Sequence, residues 1–423
     1  MSGDLALGLD FGTSGARGCV IDAREHVLFA SGCSFARPRE QTPQDWADAL
    51  ANLLAALPLT LRARLARLAI CATSGTVLLT DAALRPMGPA LAYFDHRAEA
   101  LARALRHTLH APAQVDALAR LRWLWREAGS AQVAHALHQA DWIAAQLLGH
   151  APATDWHNAL KTGADVLHGR WPDAVRALPF GPLLPALTAP GSELGPISAQ
   201  AAHRHGLPHG VVVRAGTTDS NAAFLATGAN RPGQAVTTLG STLTLKLLST
   251  SRVDAAPYGV YSHRWGQLWL ASGASNAGGA ALRPIFSDLE LQALSARIDP
   301  ETDSELDLYP LPAAGERFPL HDPAMAPRLM PRPRDDAAYL HGLLQALARI
   351  EAAGYRLLAA LGATPPVEVL TTGGGARNPT WTRLRERALG LPVHEAAQTE
   401  SAFGAARLAL RGIDALHSRI GVT

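Results

Sequence analysis

A short turn near the start of the chain combines an acidic residue with glycine and hydroxyl groups. In GLDFGTSGARG, residues 8–18, Asp10 comes just before a Gly-Thr-Ser-Gly turn at Gly12–Gly15. Glycine lets a backbone N–H approach a phosphate oxygen closely, the hydroxyls add donors, and a neighbouring carboxylate can hold Mg²⁺ directly or through water. The same residues also suit a hairpin turn with an incidental Asp. The local pattern leaves both interpretations open.

Three later stretches offer related chemistry. TTLGSTLTL, residues 237–245, has a Gly-Ser-Thr turn that is by itself best explained as a hairpin turn. TTGGGARNP, residues 371–379, places three glycines where a strand meets a helix, and such a costly run favours close approach by a flat or anionic ligand. In AGTTDSNAA, residues 215–223, Asp219 stands at a strand-to-helix junction, where the local pattern favours an N-cap.

The elements around these turns follow the same order in both halves of the chain: a strand, a turn with glycine and hydroxyl residues, and a second strand. Apolar periodicity and turn residues predict opening strands over Leu5–Phe11, Ala16–Asp22 and His26–Phe35, followed by a helix from Pro43. The sequence further predicts a helical middle over roughly 95–149, an irregular Pro- and Gly-rich connection over 150–200, a Pro-rich loop over 300–335 and a long helix over about 336–361.

Composition indicates two or three folded domains and excludes several classes of partner. Of the 423 residues, 48% are hydrophobic and 17% are charged, which is typical of globular chains. The 38 basic and 36 acidic residues nearly balance, so neither a nucleic-acid nor a membrane surface is indicated. Three cysteines without C-x-x-C spacing favour a reduced compartment. With no signal peptide and no long apolar run, the sequence predicts a cytoplasmic protein.

Taken in this order, the motifs resemble those of the FGGY carbohydrate kinases, nearly from end to end. GLDFGTSGARG and VTTLGST are similar to the two phosphate motifs of the family. GTTDSNAAFLATGA is similar to its catalytic-Asp segment, TTGGGARNPTWTRLRERALGLPV to its adenosine motif, and ESAFGAARLAL to its closing helix. TSGTVLLTD, ATDWHNALKTGADV and FPLHDPAMAPRLMPRP most resemble a short xylulokinase-like group that includes D-ribulose kinases.

The resemblance implies an α/β, two-lobed actin/hexokinase/Hsp70-like (ribonuclease H-like) fold with a central cleft. Residues 1–228 would form an N-terminal sugar-binding lobe, and residues 229–423 a C-terminal nucleotide-binding lobe. The implied activity is ATP-dependent phosphorylation of a ketopentose, D-ribulose or D-xylulose, at its terminal hydroxyl, which gives the 5-phosphate and ADP. The partners would be a small-molecule sugar, ATP and Mg²⁺, with the protein a monomer or a homodimer. The alternative is a non-catalytic or regulatory ATP-binding protein of the same superfold.

The resemblance also assigns roles to individual residues. Asp219 would be the general base that accepts the proton of the attacking sugar hydroxyl, and Asp10 would position Mg²⁺. Ser74 and Asp95 would help Asp219 hold the sugar, although the family more often has Asn at the position of Phe94. The residues facing the phosphates would be Gly12, Thr13, Ser14, Gly240, Ser241 and Thr242. The residues lining the adenosine would be Gly374, Gly375 and Asn378.

Overall fold

The computed structural model describes residues 4–108, 114–129 and 132–416. The strands are β1 Leu5–Phe11, β2 Gly15–Ile21, β3 Val27–Ser34, β4 Leu65–Ala72, β5 Val77–Thr80, β6 His135–His138, β7 Thr154–Asp155, β8 Leu187–Thr188, β9 Glu193–Pro196, β10 Val212–Thr218, β11 Gln234–Leu239, β12 Leu243–Ser249, β13 Tyr261–Trp265, β14 Leu268–Ser275, β15 Glu368–Thr372 and β16 Val393–Glu395. The helices are α1 Pro43–Ala55, α2 Leu59–Arg62, α3 Glu99–Thr108, α4 Asp116–Ala128, α5 Gln139–Leu148, α6 Trp156–Leu160, α7 Asp173–Arg176, α8 Ala199–His205, α9 Asp219–Ala226, α10 Gly279–Leu282, α11 Asp288–Ser295, α12 Asp336–Ala360, α13 Pro379–Leu389 and α14 Ser401–Ala415.

The chain divides into two compact units, each built on a six-stranded sheet. The first unit comprises residues 1–228 and 400–423, and the second comprises residues 229–399. The strand orders are β3-β2-β1-β4-β10-β9 and β13-β14-β12-β11-β15-β16. In the first sheet β1, β2 and β3 are antiparallel neighbours and β4 and β10 run parallel to β1. In the second, β11, β12 and β14 are antiparallel neighbours and β15 and β16 run parallel to β11.

This repeated topology brings particular turns to one edge of each sheet. The turn after β1 and the turn after β11 both lie at the carboxyl end of a central strand, next to the carboxyl ends of its parallel neighbours. In open α/β sheets this edge is where ligands bind. The positions of the predicted site residues therefore follow from the strand order.

The first unit buries both faces of its sheet. On one face, alternating leucines of β1 and β4 pack against α1, α5 and α8 around Trp46 and Trp142. The other face is small-residue rich and is covered by α9 and α14. A Cβ atom at Gly8 would lie 1.9 Å from the carbonyl oxygen of Ala402, and a Cβ atom at Gly404 would lie 1.8 Å from that of Ala222. Glycine at both positions permits this close backbone packing.

The docking of α14 changes the predicted division of the chain. The sequence-based second lobe, residues 229–423, includes this helix, whereas in the structure α14 packs on β1, β2, β4 and α9 of the first unit. Apolar side chains on α14 pack against the first sheet. This helix, although late in the chain, therefore belongs to the unit that contains β1.

The second unit contains a buried charged pair that joins helices to strands. The guanidinium of Arg385 on α13 donates to both carboxylate oxygens of Glu351 on α12, over 2.6 and 2.7 Å. It also donates to the Thr371 hydroxyl on β15, and the Thr237 hydroxyl on β11 donates to Glu351. Tyr355 completes the network through its hydroxyl contact with Thr237. Buried charges are tolerated only when paired and hydrogen-bonded in this way.

Several predicted elements are confirmed and others are wrong. The three opening strands, the helix from Pro43, the loop over 300–335 and the long helix over 336–361 are present within one to two residues. The predicted helical middle contains the four-residue strand β6, which pairs with β5 far away in sequence. The connection over 150–200 is more regular than predicted, because short strands β7 and β8 pair with each other there. Among the described residues no helix combines the length and the apolar character needed to cross a membrane.

Candidate active site

The buried carboxylate of Asp10 lies near the carboxyl end of β1 in the first unit. Asp10 is 4% exposed and lies beside Cys71 in the parallel register of β1 and β4. The Cys71 thiol donates to Oδ1 of Asp10 over 3.4 Å, and a guanidinium nitrogen of Arg17 lies 3.7 Å from Oδ2. Cys71 is also aligned with Thr217 of β10, two residues before Asp219. The strand order thus brings Asp10 and Asp219 to the same sheet edge.

Electrostatics at this edge favour a bound cation. Burial, and secondarily the negative charge of Asp219, raise the pKa of Asp10 to about 7. The hydrogen bond of the Cys71 thiol and the charge of Arg17 lower the pKa of Asp10, but they do not compensate for the effect of burial. Carboxylate oxygens are the ligands that Mg²⁺ prefers, and a divalent cation would relieve the repulsion between the two acids. The donor set therefore fits Mg²⁺, which Asp10 would hold.

Asp219 begins helix α9 rather than preceding it. Thr218 occupies the N-cap position and its side chain makes no capping hydrogen bond, so the interpretation of Asp219 as an N-cap is wrong. Oδ1 of Asp219 accepts the Ser220 backbone N–H over 2.6 Å. The Asp219 side chain is half-buried at the end of β10, in contrast to the buried Asp10. A partly accessible carboxylate in this position can meet a substrate hydroxyl.

The first predicted phosphate turn is fixed by its own backbone. The Gly12 N–H donates to the Gly15 carbonyl over 3.0 Å, and the Ser14 carbonyl accepts the Phe35 N–H over 3.0 Å. A Cβ atom at Gly15 would lie 2.2 Å from the carbonyl oxygen of Cys33, so this position admits only glycine. Ser14 is exposed at the tip. The turn thus presents backbone and hydroxyl donors in a fixed arrangement.

A cavity of about 280 Å³ lies beside this turn. Its lining includes Thr13, Trp46, Thr73, Tyr93, Phe94 and Asp95. The Tyr93 and Thr13 hydroxyls are 3.3 Å apart, which links the cavity wall to the first phosphate turn. A concave pocket with aromatic walls and a few polar groups is typical of small-molecule sites.

Two predicted sugar contacts lie in the segments that bound this cavity. The carboxylate of Asp95 accepts hydrogen bonds from the Arg97 guanidinium at both oxygens. Burial raises the pKa of Asp95, but the hydrogen bonds and charge of Arg97 outweigh it, and the net pKa is lowered. The hydroxyl oxygen of Ser74 is buried and has no hydrogen-bond partner within the described part of the chain. A buried unpaired hydroxyl is costly, and a ligand could satisfy it.

The second unit carries the turn of Gly240, Ser241 and Thr242 between β11 and β12. The Gly240 N–H donates to the Thr242 carbonyl over 3.3 Å, and the Gly240 carbonyl accepts the Gly279 N–H over 2.8 Å. The Ser241 hydroxyl accepts a hydrogen bond from Arg283 over 3.3 Å. This turn occupies the same place in its sheet as the first turn does in the other unit.

The glycine run after β15 packs against the end of β11. Gly373 has φ 86°, and a Cβ atom there would lie 2.5 Å from the Leu239 carbonyl oxygen, immediately before Gly240. A Cβ atom at Gly374 would have no atom within 4 Å, so this residue borders open space, whereas Gly375 packs on Trp381. The structure therefore brings the second phosphate turn and the predicted adenosine turn side by side, with an open backbone face suited to a flat group.

Asn378 has a structural role that the sequence did not indicate. Its Oδ1 accepts the Trp381 N–H over 3.0 Å as the N-cap of α13, and its Nδ2 donates to the Ser295 hydroxyl over 2.8 Å. These bonds fix the start of α13 beside the glycine run.

Sequence reasoning missed three residues that fix the cavity wall: Thr76, Arg120 and Gln139. The side chain of Arg120 is buried, and within the described residues its hydrogen bonds go to three backbone carbonyl groups. The available signal was an arginine inside an apolar helical run, ALARLRWL, residues 117–124. An arginine at a buried helix position requires partners, but the sequence does not show which.

Comparison with known proteins agrees with this architecture. The model of the FGGY family of carbohydrate kinases, N-terminal domain, matches residues 5–226, and that of the C-terminal domain matches residues 235–413. A xylulose kinase of Streptomyces coelicolor is 29% identical and aligns over 98% of this chain and 89% of its own.

Solved structures agree as well. A xyloylose kinase from Brucella ovis has a TM-score of 0.84 at 24% identity, over 97% of this chain and 90% of its own. A xylulose kinase from Rhodospirillum rubrum has a TM-score of 0.80 at 24% identity, over 99% of this chain and 92% of its own. The expected α/β fold of the actin/hexokinase type is confirmed.

The class defined by this fold and site is that of the sugar kinases. The chain belongs to the FGGY family of carbohydrate kinases, whose phosphate donor is ATP, and it is xylulokinase-like within that family.

Proposed function

We propose that this kinase transfers the γ-phosphate of ATP to the terminal hydroxyl of a ketopentose, either D-xylulose or D-ribulose, giving the 5-phosphate and ADP. The observation that carries the proposal is that Asp219 and Asp10 lie at the ends of β10 and β1, on either side of β4 at one sheet edge, where the charge of Asp219 acts on Asp10. The same unit contains a cavity of about 280 Å³. The names of the relatives make D-xylulose the first substrate to test. A non-catalytic ATP-binding role is not favoured, because an acid suited to act as a base is present.

Asp219 is the general base in this proposal. It accepts the proton of the sugar hydroxyl as that oxygen attacks the γ-phosphate, and its position at the end of β10 supports this role. Ser74 and Asp95 hold the sugar from the two segments that bound the cavity. The unpartnered Ser74 hydroxyl supports a ligand contact there.

The two units have different tasks in this scheme. The first supplies the sugar site and Asp10, which would hold Mg²⁺. A bound Mg²⁺ would supply positive charge to neutralise the phosphates of ATP. Catalysis of phosphoryl transfer is mostly positioning and electrostatic stabilisation, and the turn donors serve both. The phosphate-facing residues are Gly12, Thr13, Ser14, Gly240, Ser241 and Thr242. The adenosine-lining residues, all in the second unit, are Gly374, Gly375 and Asn378.

The cellular setting follows from the same chemistry. Cys19, Cys33 and Cys71 are free thiols, which supports a cytoplasmic enzyme that meets ATP and free pentulose in a reduced compartment. We place the active form as a monomer or a homodimer, which light scattering at assay concentration distinguishes.

A substrate panel tests the proposed function. ADP formation is measured with D-xylulose, D-ribulose, glycerol and no sugar, and kcat/KM is compared across the panel. We expect one pentulose to stimulate ADP formation far above the sugar-free rate, with loss of activity on removal of Mg²⁺ by EDTA. If neither pentulose raises ADP formation above the sugar-free rate, the proposal is wrong.

A further inference from the structure

Two separate segments bound the cavity of the first unit and carry the proposed sugar contacts. The turn after β4, residues 73–76, contains Ser74, and the loop over residues 93–97 contains Asp95. Neither segment is a helix or a strand, so its position depends on the side chains that anchor it. These anchors fix the spacing of the two sugar contacts.

Arg120 on α4 connects both segments. One terminal nitrogen donates to the Gly75 carbonyl over 3.1 Å, the other donates to the Tyr93 carbonyl, and Nε donates to the Asp95 carbonyl over 3.4 Å. A planar guanidinium offers five N–H donors in a rigid fork, so one side chain can hold three carbonyls at set distances. An ammonium group has neither the reach nor the planarity to do so.

The environment of the Arg120 guanidinium is unusual for an arginine with a structural role. The side chain is 8% exposed and makes no ion pair within the described part of the chain. Burial lowers its pKa, and the more distant charges of Asp116 and Asp95 offset this only in part. Burying a cation without a directly bonded carboxylate is energetically unfavourable. Here the guanidinium instead holds three backbone carbonyl groups in a fixed arrangement.

A second connection runs through hydroxyl groups. The Tyr93 N–H donates to the Thr76 hydroxyl oxygen over 3.3 Å, and the Thr76 and Thr73 hydroxyls are 2.6 Å apart. The Thr73 hydroxyl donates to Oε1 of Gln139 over 2.6 Å. Because Oε1 can only accept, the protons point in one direction: from Tyr93 through Thr76 and Thr73 to Gln139. The loop and the turn are thus joined twice, once by Arg120 and once by Thr76.

We propose that Arg120 and Thr76 are positioning residues that hold Ser74 and Asp95 at one fixed spacing and thereby set the affinity and selectivity for the sugar. The inference rests on the proposed function, because it assumes that these two segments bind the sugar. Neither residue needs to touch the substrate. Their removal should loosen the sugar site and leave the nucleotide turns of the second unit unchanged.

Arg120→Lys and Thr76→Val are the test variants, and the chain offers a matched control for each. Arg62 also donates to three backbone carbonyls, those of Ala55, Leu57 and His205, so Arg62→Lys reports the loss of such a fork elsewhere in the same unit. Thr80 is fully buried and its hydroxyl has no partner among the described residues, so Thr80→Val reports an isosteric change without a lost connection.

Steady-state kinetics form the first readout. We expect each test variant to raise the KM of the preferred pentulose about tenfold or more and to bring the ratio of kcat/KM between the two pentuloses closer to one. The KM of ATP should stay within about twofold of the wild-type value. Both controls should retain the wild-type values. Equal effects on sugar and ATP, or equal effects of test and control variants, would overturn the proposal. If Arg120→Lys does not fold, Thr76→Val against Thr80→Val decides.

Hydrogen exchange separates this inference from the proposed function. Amide exchange at residues 73–76 and 93–97 is measured by mass spectrometry in sugar-free protein, which requires no activity. We expect faster exchange in Arg120→Lys and Thr76→Val than in their controls. Unchanged exchange overturns the positioning role even in an active enzyme, whereas a wild-type protein inactive on all pentuloses overturns the proposed function and leaves the exchange result interpretable.

Discussion

Asp10 places a carboxylate where the fold itself disfavours a negative charge. It is buried beside Cys71 and faces the charges of Asp219 and Glu400, with Arg17 as a nearby cation. Such an arrangement destabilises the empty protein and favours a bound divalent ion. The buried Asp10 carboxylate therefore lowers the stability of the metal-free protein and provides a site that can bind a cation.

This reasoning predicts a pH-dependent effect of Asp10→Asn on stability. Burial raises the pKa of Asp10 from 3.8 to about 7 in the folded protein, so between these values the folded state binds more protons than the unfolded state. The free energy of unfolding therefore falls as pH rises through that window. Without metal, Asp10→Asn should exceed wild type in stability by about 2–4 kcal/mol at pH 8, and much less at pH 4.

Urea denaturation in EDTA at the two pH values measures the difference. A stability difference that does not change between pH 4 and pH 8 would contradict the raised pKa. The same variant should lose turnover, since it lacks the carboxylate proposed to hold Mg²⁺.

Asp219→Asn should remove the proposed proton acceptor with little change in ATP binding. We expect kcat to fall by about 10²- to 10⁴-fold, while the KM of ATP stays near its wild-type value. Asp173→Asn is a matched control, because Asp173 also begins a helix but is exposed. Full activity of Asp219→Asn would show that another group is the base.

At the scale of single residues, the sequence predicts those site residues whose side chains suit the proposed phosphoryl transfer. Asp10, Asp219 and the glycine turns could be named as candidates because their motifs occur in the order typical of the FGGY kinases, although each local pattern also suits a hairpin turn or an N-cap. Arg120 was not identifiable, because its three partners are backbone carbonyls. A carbonyl is present at every residue, so only the fold shows which ones meet an arginine.

Among the elements, α13 is held by the buried pair of Arg385 and Glu351, which also reaches β11 and β15 just below the two nucleotide turns. Removing one partner leaves the other charge buried without compensation. The network therefore fixes the distance between the strands that carry these turns.

Glu351→Gln should lower the free energy of unfolding by about 3–5 kcal/mol, because it leaves the buried Arg385 guanidinium unpaired. Urea denaturation gives the value. The exposed pair of Arg383 and Glu301 also joins α13 to a neighbouring segment, and Glu301→Gln is the matched control with little expected effect. Similar midpoints for both variants would show that the buried pair contributes no more than a surface one.

The sequence predicts long elements better than short ones, and the reason is physical. α12 repeats its apolar face over 25 residues, and β1 is a continuous buried run. β6 has only four residues and exists through its pairing with β5, so its own residues do not distinguish it from the helix that follows.

In the whole molecule, the two sheets share the order of five strands, and the sixth strand lies at opposite ends, β9 beside β10 and β13 beside β14. The small-residue face of the first sheet is closed by α14, a helix from the other end of the chain. The sequence suggested a boundary after residue 228 and recognised a closing helix. It could not show that this helix packs on the first unit, because the apolar face of a helix does not identify the surface that it will cover.

A chain that ends at residue 399 should therefore lose the first unit selectively. We expect β1, β2 and β4 to lose protection from hydrogen exchange, while β11, β12 and β15 keep it, because the second unit retains all its residues. Full-length Gly404→Val is the companion variant, since a Cβ atom there would lie 1.8 Å from the Ala222 carbonyl oxygen. Equal protection of both units in the shortened chain would contradict this account.

The return of α14 to the first sheet also sets the order of events on the ribosome. At about 5–20 residues per second, some 9 to 37 s separate the synthesis of residue 228 from that of residue 415, where α14 ends. During this interval the first unit lacks the helix that covers its small-residue face, whereas residues 229–399 are all made before α14. The first unit is therefore completed only after the whole second unit has been made, and a nascent chain cut short before α14 cannot complete it.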